Sequence, residues 1–395
     1  MTIFHSRLVS VSFAIFSMLF GAGNLIFPLA TGMESGSMNL VAISGFLFTA
    51  ICLPLIGLIA MILFDGDYIA FFNRLGVKAG SITIGFCMLV IGPIIAVPRI
   101  VTLSHIMTAP FLPIVFLQEI NLASSTTFAL IFLFITFLCT FRKNTIIDVL
   151  GNYISPLLLF SLSVIIIKGL YSAENFVSTK SLTLGSILFR NIIRGYETLD
   201  LLGTIFFCSM IINMLKAEDQ KQPKQNNKKT LLLGLKAGIA GLSCLSLVYL
   251  GMSYLGAFYG HGIIENSGAL FSIISFRVLG QYGAAIISTA VFMACLSTSI
   301  ALVTVLSDYT QKTIFNNNIS FISALTLVLL SCLPLSTAGL STVLSITAGP
   351  IIYISYPCLI VLCLCNIAYK AVGFTPIKIP IVATLVLSAT SYFFL

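Results

Sequence analysis

Gly21-Ala22-Gly23-Asn24-Leu25-Ile26-Phe27-Pro28 interrupts an otherwise apolar run from Leu8 to about Ala30. Two glycines, an asparagine and a proline so close together weaken helical hydrogen bonding, because glycine is conformationally loose and proline lacks an N–H and clashes with the preceding turn. In a bilayer every freed N–H or C=O must find a partner, so an unwound segment at that depth persists only where it lines a cavity or is enclosed by protein. The stretch therefore reads as a binding site. The plainer alternative is a tolerated kink, since Gly and Pro are frequent in membrane helices. A second interrupted span, in the middle of the chain, favours the binding site.

Composition fixes the surroundings of that stretch. Of 395 residues, 58% are hydrophobic and 8% charged, with mean hydropathy +1.10; soluble domains carry about 25% charged residues. An all-α, polytopic integral membrane protein is expected. Uncharged runs give about eleven transmembrane helices of roughly 18 residues or more, at 8–30, 40–64, 81–107, 124–141, 146–168, 188–215, 231–258, 281–307, 319–335, 340–366 and 378–395. Arg7 followed by an apolar run has the look of a secretory signal, but the run continues past Gly23 and more spans follow, so it reads as the first span. The ten cysteines lie almost all in apolar runs without a CxxC pair, and His5, His105 and His261 are scattered. Neither a disulfide framework nor a metal cluster follows.

The net charge of +8 is distributed by loop. With the N-terminus in the cytoplasm, the inner loops carry Arg74 and Lys78, then Arg142 and Lys143, then Lys216, Lys221, Lys224, Lys228 and Lys229, then Lys312, then Lys370 and Lys378. The outer loops carry little beyond Lys168, Lys180 and Arg277. This asymmetry predicts a cytoplasmic N-terminus. Lys216 to Lys229, with Pro223, reads as a solvated linker between two halves of five spans each.

Charges inside spans are costly and normally face the bundle interior with a partner. Arg99 lies in the third span beside Pro93 and Pro98. A candidate partner is the sixth span, where Arg194-Gly195-Tyr196-Glu197-Thr198-Leu199-Asp200-Leu201-Leu202-Gly203 again mixes glycines and polar groups into apolar sequence. Matching interruptions in two halves point to a secondary transporter built from inverted repeats, in which half-helix N-termini attract a substrate carboxylate and unwound carbonyls coordinate a cation. In the eighth span, Ser297 and Thr298 with the Ala294 carbonyl form a set of hard oxygens suited to sodium, unless the hydroxyls merely bond their own i−4 carbonyls. Gly234, Gly238 and Gly241 read as a packing stripe in the seventh span. Glu265 to Leu270 and the apolar run after it read as an outer capping or re-entrant helix.

In combination and order, several stretches identify a resemblance covering nearly the whole chain. They are Gly21-Ala22-Gly23-Asn24 with Ile26-Phe27-Pro28; Gly92-Pro93 with Pro98-Arg99; Asp148-Val149-Leu150-Gly151-Asn152 before Pro156; Gly195-Tyr196, Thr198, Asp200 and Leu202-Gly203; Ala294-Cys295-Leu296 with Thr298; and Tyr356-Pro357-Cys358. The chain resembles the branched-chain amino acid:cation symporters of the amino acid–polyamine–organocation superfamily. The resemblance implies a leucine-transporter-type five-plus-five inverted-repeat bundle with helices 1 and 6 broken, alternating access and sodium-coupled uptake. It implies a single transporter domain over 1–395, with repeats at 8–168 and 188–366 and an extra C-terminal helix at 378–395. Carried over by position, Gly21, Ala22, Gly23, Asn24, Gly195, Tyr196, Thr198 and Asp200 would bind substrate. Ser297 and Thr298 would hold sodium, joined on the reading of the residues themselves by Ala294; that same reading, not the resemblance, makes Arg99 and Glu197 a candidate gating or ion pair. The chain departs from the family in ending after an eleventh span rather than a twelfth, and in having Glu197 and Ser297 where uncharged or apolar residues are usual.

The expected activity is import of leucine, isoleucine and valine across a bacterial inner membrane, with sodium as coupling ion and no other cofactor. The alternative is a proton-coupled or broader neutral amino acid carrier. Nucleic acid is not an expected partner. An enzyme is disfavoured by the absence of HExxH, GxSxG or any nucleophile–base cluster.

Overall fold

The first span is broken, at the leading edge of the stretch quoted above. In the computed structural model, which describes residues 2–142, 146–177, 183–219, 227–263, 269–280, 283–347 and 351–394, helix α1 (Thr2–Leu19) stops and α2 (Ala22–Ser35) resumes after Phe20 and Gly21. Gly21 caps α2 in extended backbone (φ −100°, ψ −168°). Asn24 to Pro28 are helical, and Pro28 sits inside α2, where its missing N–H frees a carbonyl rather than ending the helix.

The second span is α3 (Asn39–Ala50) and α4 (Cys52–Leu63), followed by a short α5 (Tyr68–Asn73). The third is α6 (Val77–Leu89) and α7 (Ala96–Thr108), joined through a wide turn where Gly92 leaves helical geometry beside Pro93. After the connector α8 (Val115–Gln118), α9 (Leu122–Thr140) is the fourth span, and α10 (Ile146–Asp148) leads through a wide turn into α11 (Ser155–Tyr171), the fifth. The sixth is broken between α12 (Leu184–Tyr196) and α13 (Asp200–Asp219). The seventh, α14 (Asn227–Tyr259), is continuous. Then come the ten-residue α15 (Leu270–Leu279), the eighth span α16 (Ala284–Tyr309), the ninth α17 (Phe321–Thr337), the tenth α18 (Leu340–Thr347) with α19 (Tyr356–Val372), and α20 (Lys378–Phe394).

No strand occurs among the described residues. Eight of their helical stretches are long and apolar enough to cross a membrane; one of them, Ala22–Leu63, joins α2 to the second span, while Arg7–Leu19, Phe321–Thr337 and Lys378–Phe393 are shorter apolar helices. The hydrophilic linker is shorter than its composition implies, because α13 carries Lys216 on to Asp219 and α14 already includes Lys228 and Lys229. Lys221, Pro223 and Lys224 lie outside the described residues, as do Lys143, Lys180 and the loop 264–268. The apolar run after that loop is α15, which caps the third span through Ser272 Oγ donating to the Met107 carbonyl at 2.7 Å.

The two halves pack crosswise. α1 and α2 lie along α14, while α12 and α13 lie along α3 and α4, so each broken span rests on the second span of the other half. The third span contacts the ninth and the eighth contacts the fourth in the same exchanged sense. In lipid, close packing of small residues does what hydrophobic exclusion does in water. A Cβ on Gly256 would run into the Leu29 carbonyl, one on Gly32 into the Ser253 carbonyl, and one on Gly241 would come within 2.8 Å of the Ser12 carbonyl. In the stripe read from sequence, Gly238 meets Leu58, whereas Gly234 has only Ile212 at 3.7 Å. Gly151, in the Asp148–Asn152 motif, gives way to the Ser10 carbonyl of α1.

Gly256→Val forces α2 and α14 apart and is expected to destabilise the protein by about 1–3 kcal/mol or more, read as a lower thermal midpoint in detergent. Gly185→Ala, with open space around it, is expected to leave the midpoint unchanged or slightly higher.

Candidate functional site

Breaking a span exposes the last carbonyls of one half-helix and the first amides of the next. At the first break, the Phe20, Gly21 and Asn24 amides donate to the Phe16, Leu19 and Gly21 carbonyls at 2.9, 3.0 and 3.1 Å. The Ser17 carbonyl is met instead by the eighth span. Ser297 Oγ, with one proton to give, reaches the Ser17 carbonyl at 2.7 Å and the Ala294 carbonyl at 3.0 Å, and Thr298 Oγ1 reaches Ser17 at 3.4 Å. Gly21 permits this approach, since a Cβ there would lie 3.1 Å from Thr298 Oγ1.

At the second break, Leu199 adopts left-handed backbone (φ 59°), which costs a non-glycine residue on the order of 1–3 kcal/mol. The turn is held by neighbours: Thr198 Oγ1 donates to the Gly195 carbonyl at 2.9 Å, and the Leu201 amide donates to the Tyr356 hydroxyl at 3.2 Å. Asp200 opens α13, where its negative charge suits the helix N-terminus.

Asn24 joins the two breaks. Its Nδ2 donates to Asp200 Oδ2 at 2.9 Å and also bonds the Tyr249 hydroxyl, which itself donates to Asp200 Oδ2 at 3.2 Å. All three side chains are buried. From α7, Arg99 reaches across so that Nη1 donates to the Glu197 carbonyl at 3.3 Å, and its guanidinium lies 5.1 Å from the Phe27 ring centre.

Between the breaks lies a cavity of about 80 Å³, walled by Gly21, Ala22, Gly23, Asn24, Arg99, Thr198, Asp200 and Thr298 together with apolar residues that include Ile91, Ile95 and Phe207. That is room for roughly half a dozen water-sized groups, the scale of one small molecule. A larger cavity of about 350 Å³ between α6, α19 and α20 has no charged side chain on its wall; Val90, Leu199 and Leu202 line both.

The sequence matches the family described as branched-chain amino acid transport protein over residues 4–393. The chain belongs to this family. It is 29% identical over 358 residues to the branched-chain amino acid permease BraB of Bacillus subtilis, covering 90% of this chain and 78% of that one. Among solved structures it resembles MhsT in complex with L-phenylalanine (TM-score 0.61, 13% identity, 98% of each chain). It also resembles a Na+-coupled sialic acid symporter in a substrate-bound outward-open state (TM-score 0.58, 13% identity, 98% of this chain and 89% of that one). At such identities these two carry the fold, that of the leucine-transporter type, and no more.

For a family member the residues singled out by sequence divide into two groups. Gly21, Ala22, Gly23, Asn24, Thr198, Asp200, Arg99 and Thr298 converge on the cavity. Gly195, Tyr196, Glu197, Ala294 and Ser297 stand behind its wall. Gly195 lets α12 sit against the Phe46 carbonyl and Thr49 of α3, and Tyr196 packs edge-on to Tyr356, with ring centres 5.6 Å apart. The Arg99–Glu197 contact is to a backbone oxygen rather than to the carboxylate. A direct ion pair between the halves lies one turn away, where Arg194 Nη2 sits 2.5 Å from Glu34 Oε1, linking α12 to α2. Ser17 and Tyr249 escape a reading by sequence, and Tyr356 stands in the Tyr356-Pro357-Cys358 stretch with no role assigned to it. Ser17 acts through its carbonyl, and the tyrosines are ordinary amphipathic residues of apolar spans until the fold carries them to the breaks.

Tyr249→Phe leaves both Asn24 and Asp200 short of a buried partner. It is expected to lower stability by about 1–3 kcal/mol, seen as a lower thermal midpoint of the purified protein, whereas exposed Tyr171→Phe is expected to shift it little.

Proposed function

We propose that this multi-pass membrane protein imports leucine, isoleucine and valine by alternating access, driven by a sodium gradient. The observation carrying this reading is a small cavity bounded by two broken helices, with peptide groups and opposite charges in its wall and aliphatic side chains around them. The Ala22 and Gly23 amides at the start of α2, where the cap residue Gly21 has no side chain to meet them, suit a carboxylate, and Ile91, Ile95 and Phe207 suit a branched aliphatic side chain. The family match and the fold both support an amino acid carrier.

For sodium, the donor set fits. The Ser17 and Ala294 carbonyls with the Ser297 and Thr298 hydroxyls supply hard, uncharged oxygens, at the C-terminal and therefore negative end of the α1 dipole. These residues would hold the ion between the first and eighth spans, where it would neutralise that end of the broken helix. The crosswise packing supports a division of the chain into repeats at about 8–168 and 188–366. The basic residues gathered in alternate loops support a cytoplasmic N-terminus.

The buried Asp200 carboxylate on the cavity wall favours one second reading, a proton-coupled or broader neutral amino acid carrier. Replacing sodium by choline at constant pH separates the two: sodium coupling predicts collapse of leucine uptake into proteoliposomes, and proton coupling predicts that uptake persists. With sodium present, Ser297→Ala and Thr298→Val are each expected to raise the sodium concentration for half-maximal uptake on the order of tenfold, the equivalent of one lost hydrogen-bonding oxygen. Unchanged sodium dependence in both variants would remove the assigned ion site.

A further inference from the structure

Two charges of opposite sign face one small cavity without forming a direct ion pair. Arg99 is 8% exposed and Asp200 6%, and both line the space between the breaks. Asp200 spends Oδ2 on the Asn24 and Tyr249 donors; the Thr198 hydroxyl also approaches the carboxylate but gives its proton to the Gly195 carbonyl at 2.9 Å, so Oδ1 is left to the cavity. Arg99 spends Nη1 on the Glu197 carbonyl, while its buried Nε has no partner. Nη2 lies over Gly23, 2.9 Å from where a Cβ would stand, so the missing side chain is what lets the guanidinium come down on the start of α2. A guanidinium presents two N–H groups side by side along its Nε–Nη2 edge, the edge that a carboxylate grips with both oxygens. Leaving a buried charged donor unpaired is expensive, and such a donor at a cavity wall awaits an anion.

We infer that Arg99 and Asp200 form a two-ended charge clamp for the substrate. Arg99, through its Nε–Nη2 edge and beside the Ala22 and Gly23 amides, takes the α-carboxylate, and Asp200, through Oδ1, takes the α-ammonium. This deepens the amino acid carrier reading and rests on it. The clamp requires both charges of the zwitterion and sets specificity for free α-amino acids over amines, acids and amides of the same side chain. Arg99 and Asp200 are thereby substrate-orienting residues. A purely architectural Arg99, tying the third span to the second break, would weaken every ligand alike.

The test is competition against radiolabelled leucine by three compounds, using the full-length protein in proteoliposomes. Leucine carries both charges, leucinamide keeps only the ammonium, and 4-methylpentanoate keeps only the carboxylate. In the wild type each single-charge analogue is expected to bind on the order of 100-fold more weakly than leucine, the usual effect of unpairing one partner of a buried charged contact. Arg99→Gln should weaken leucine about as much while bringing leucinamide to within roughly threefold of it, and Arg99→Lys should restore part of the gap. Asp200→Asn should instead close the gap between leucine and 4-methylpentanoate. A second readout needs no variant: modification of Arg99 by phenylglyoxal, followed by mass spectrometry, should be slowed by leucine and 4-methylpentanoate but not by leucinamide. An Arg99→Gln protein that still prefers leucine over leucinamide by the wild-type factor, or equal protection by leucinamide, overturns the clamp. Failure of the wild type to bind leucine at all would instead overturn the carrier reading.

Discussion

Two helices interrupted inside a membrane must have their severed peptide groups satisfied, and the rest of the structure follows from how this is done. An unpartnered N–H or C=O in hydrocarbon costs several kcal/mol, more than any single favourable contact nearby returns. Each severed end therefore recruits a specific neighbour. The Ser17 carbonyl draws the eighth-span hydroxyls, the Leu201 amide draws Tyr356, and Asn24, Asp200 and Tyr249 tie one break to the other. What remains open, at the start of α2 and along one edge of Arg99, is the part that faces the cavity.

Keeping the breaks open without letting the bundle collapse is a matter of backbone approach. Gly32 and Gly256 bring α2 and α14 into main-chain contact, and Gly195 does the same for α12 on α3. The Arg194–Glu34 pair then links the two half-helices beyond the cavity at one end. On the proposed alternating-access reading, such an arrangement would let the half-helices move with the spans they rest on, because their own continuity has been given up. It also explains why the continuous spans lie behind the broken ones, and why the charged residues of the core gather at the breaks.

Much of this was legible in the sequence. Helix-weakening residues in an apolar run declared the first break, and the same mixture around Asp200 declared the second; composition declared the membrane. Other features were not legible, for identifiable reasons. The break at Phe20–Gly21 is shorter than the Gly21–Pro28 stretch suggests, because the helix can carry Pro28 once it has restarted at Ala22. The polar linker is shorter than its lysines and glutamines suggest, because the flanking helices extend into it. Tyr249 bears no local mark, Tyr356 is marked only as part of the Tyr356-Pro357-Cys358 stretch and not by any role, and a carbonyl such as that of Ser17 is present in every residue. Arg99 was visible as a buried charge, but sequence could not distinguish a partner carboxylate from the Glu197 carbonyl, and that difference leaves an edge of its guanidinium open.

The measurement that bears most directly on the central claim is hydrogen–deuterium exchange of the reconstituted protein with and without saturating leucine in sodium. If the severed peptide groups hold the substrate, protection should appear in peptides covering residues 20–24 and 197–201, and glutamate in place of leucine should not produce it. Saturating leucine that leaves exchange at both breaks unchanged would contradict the account.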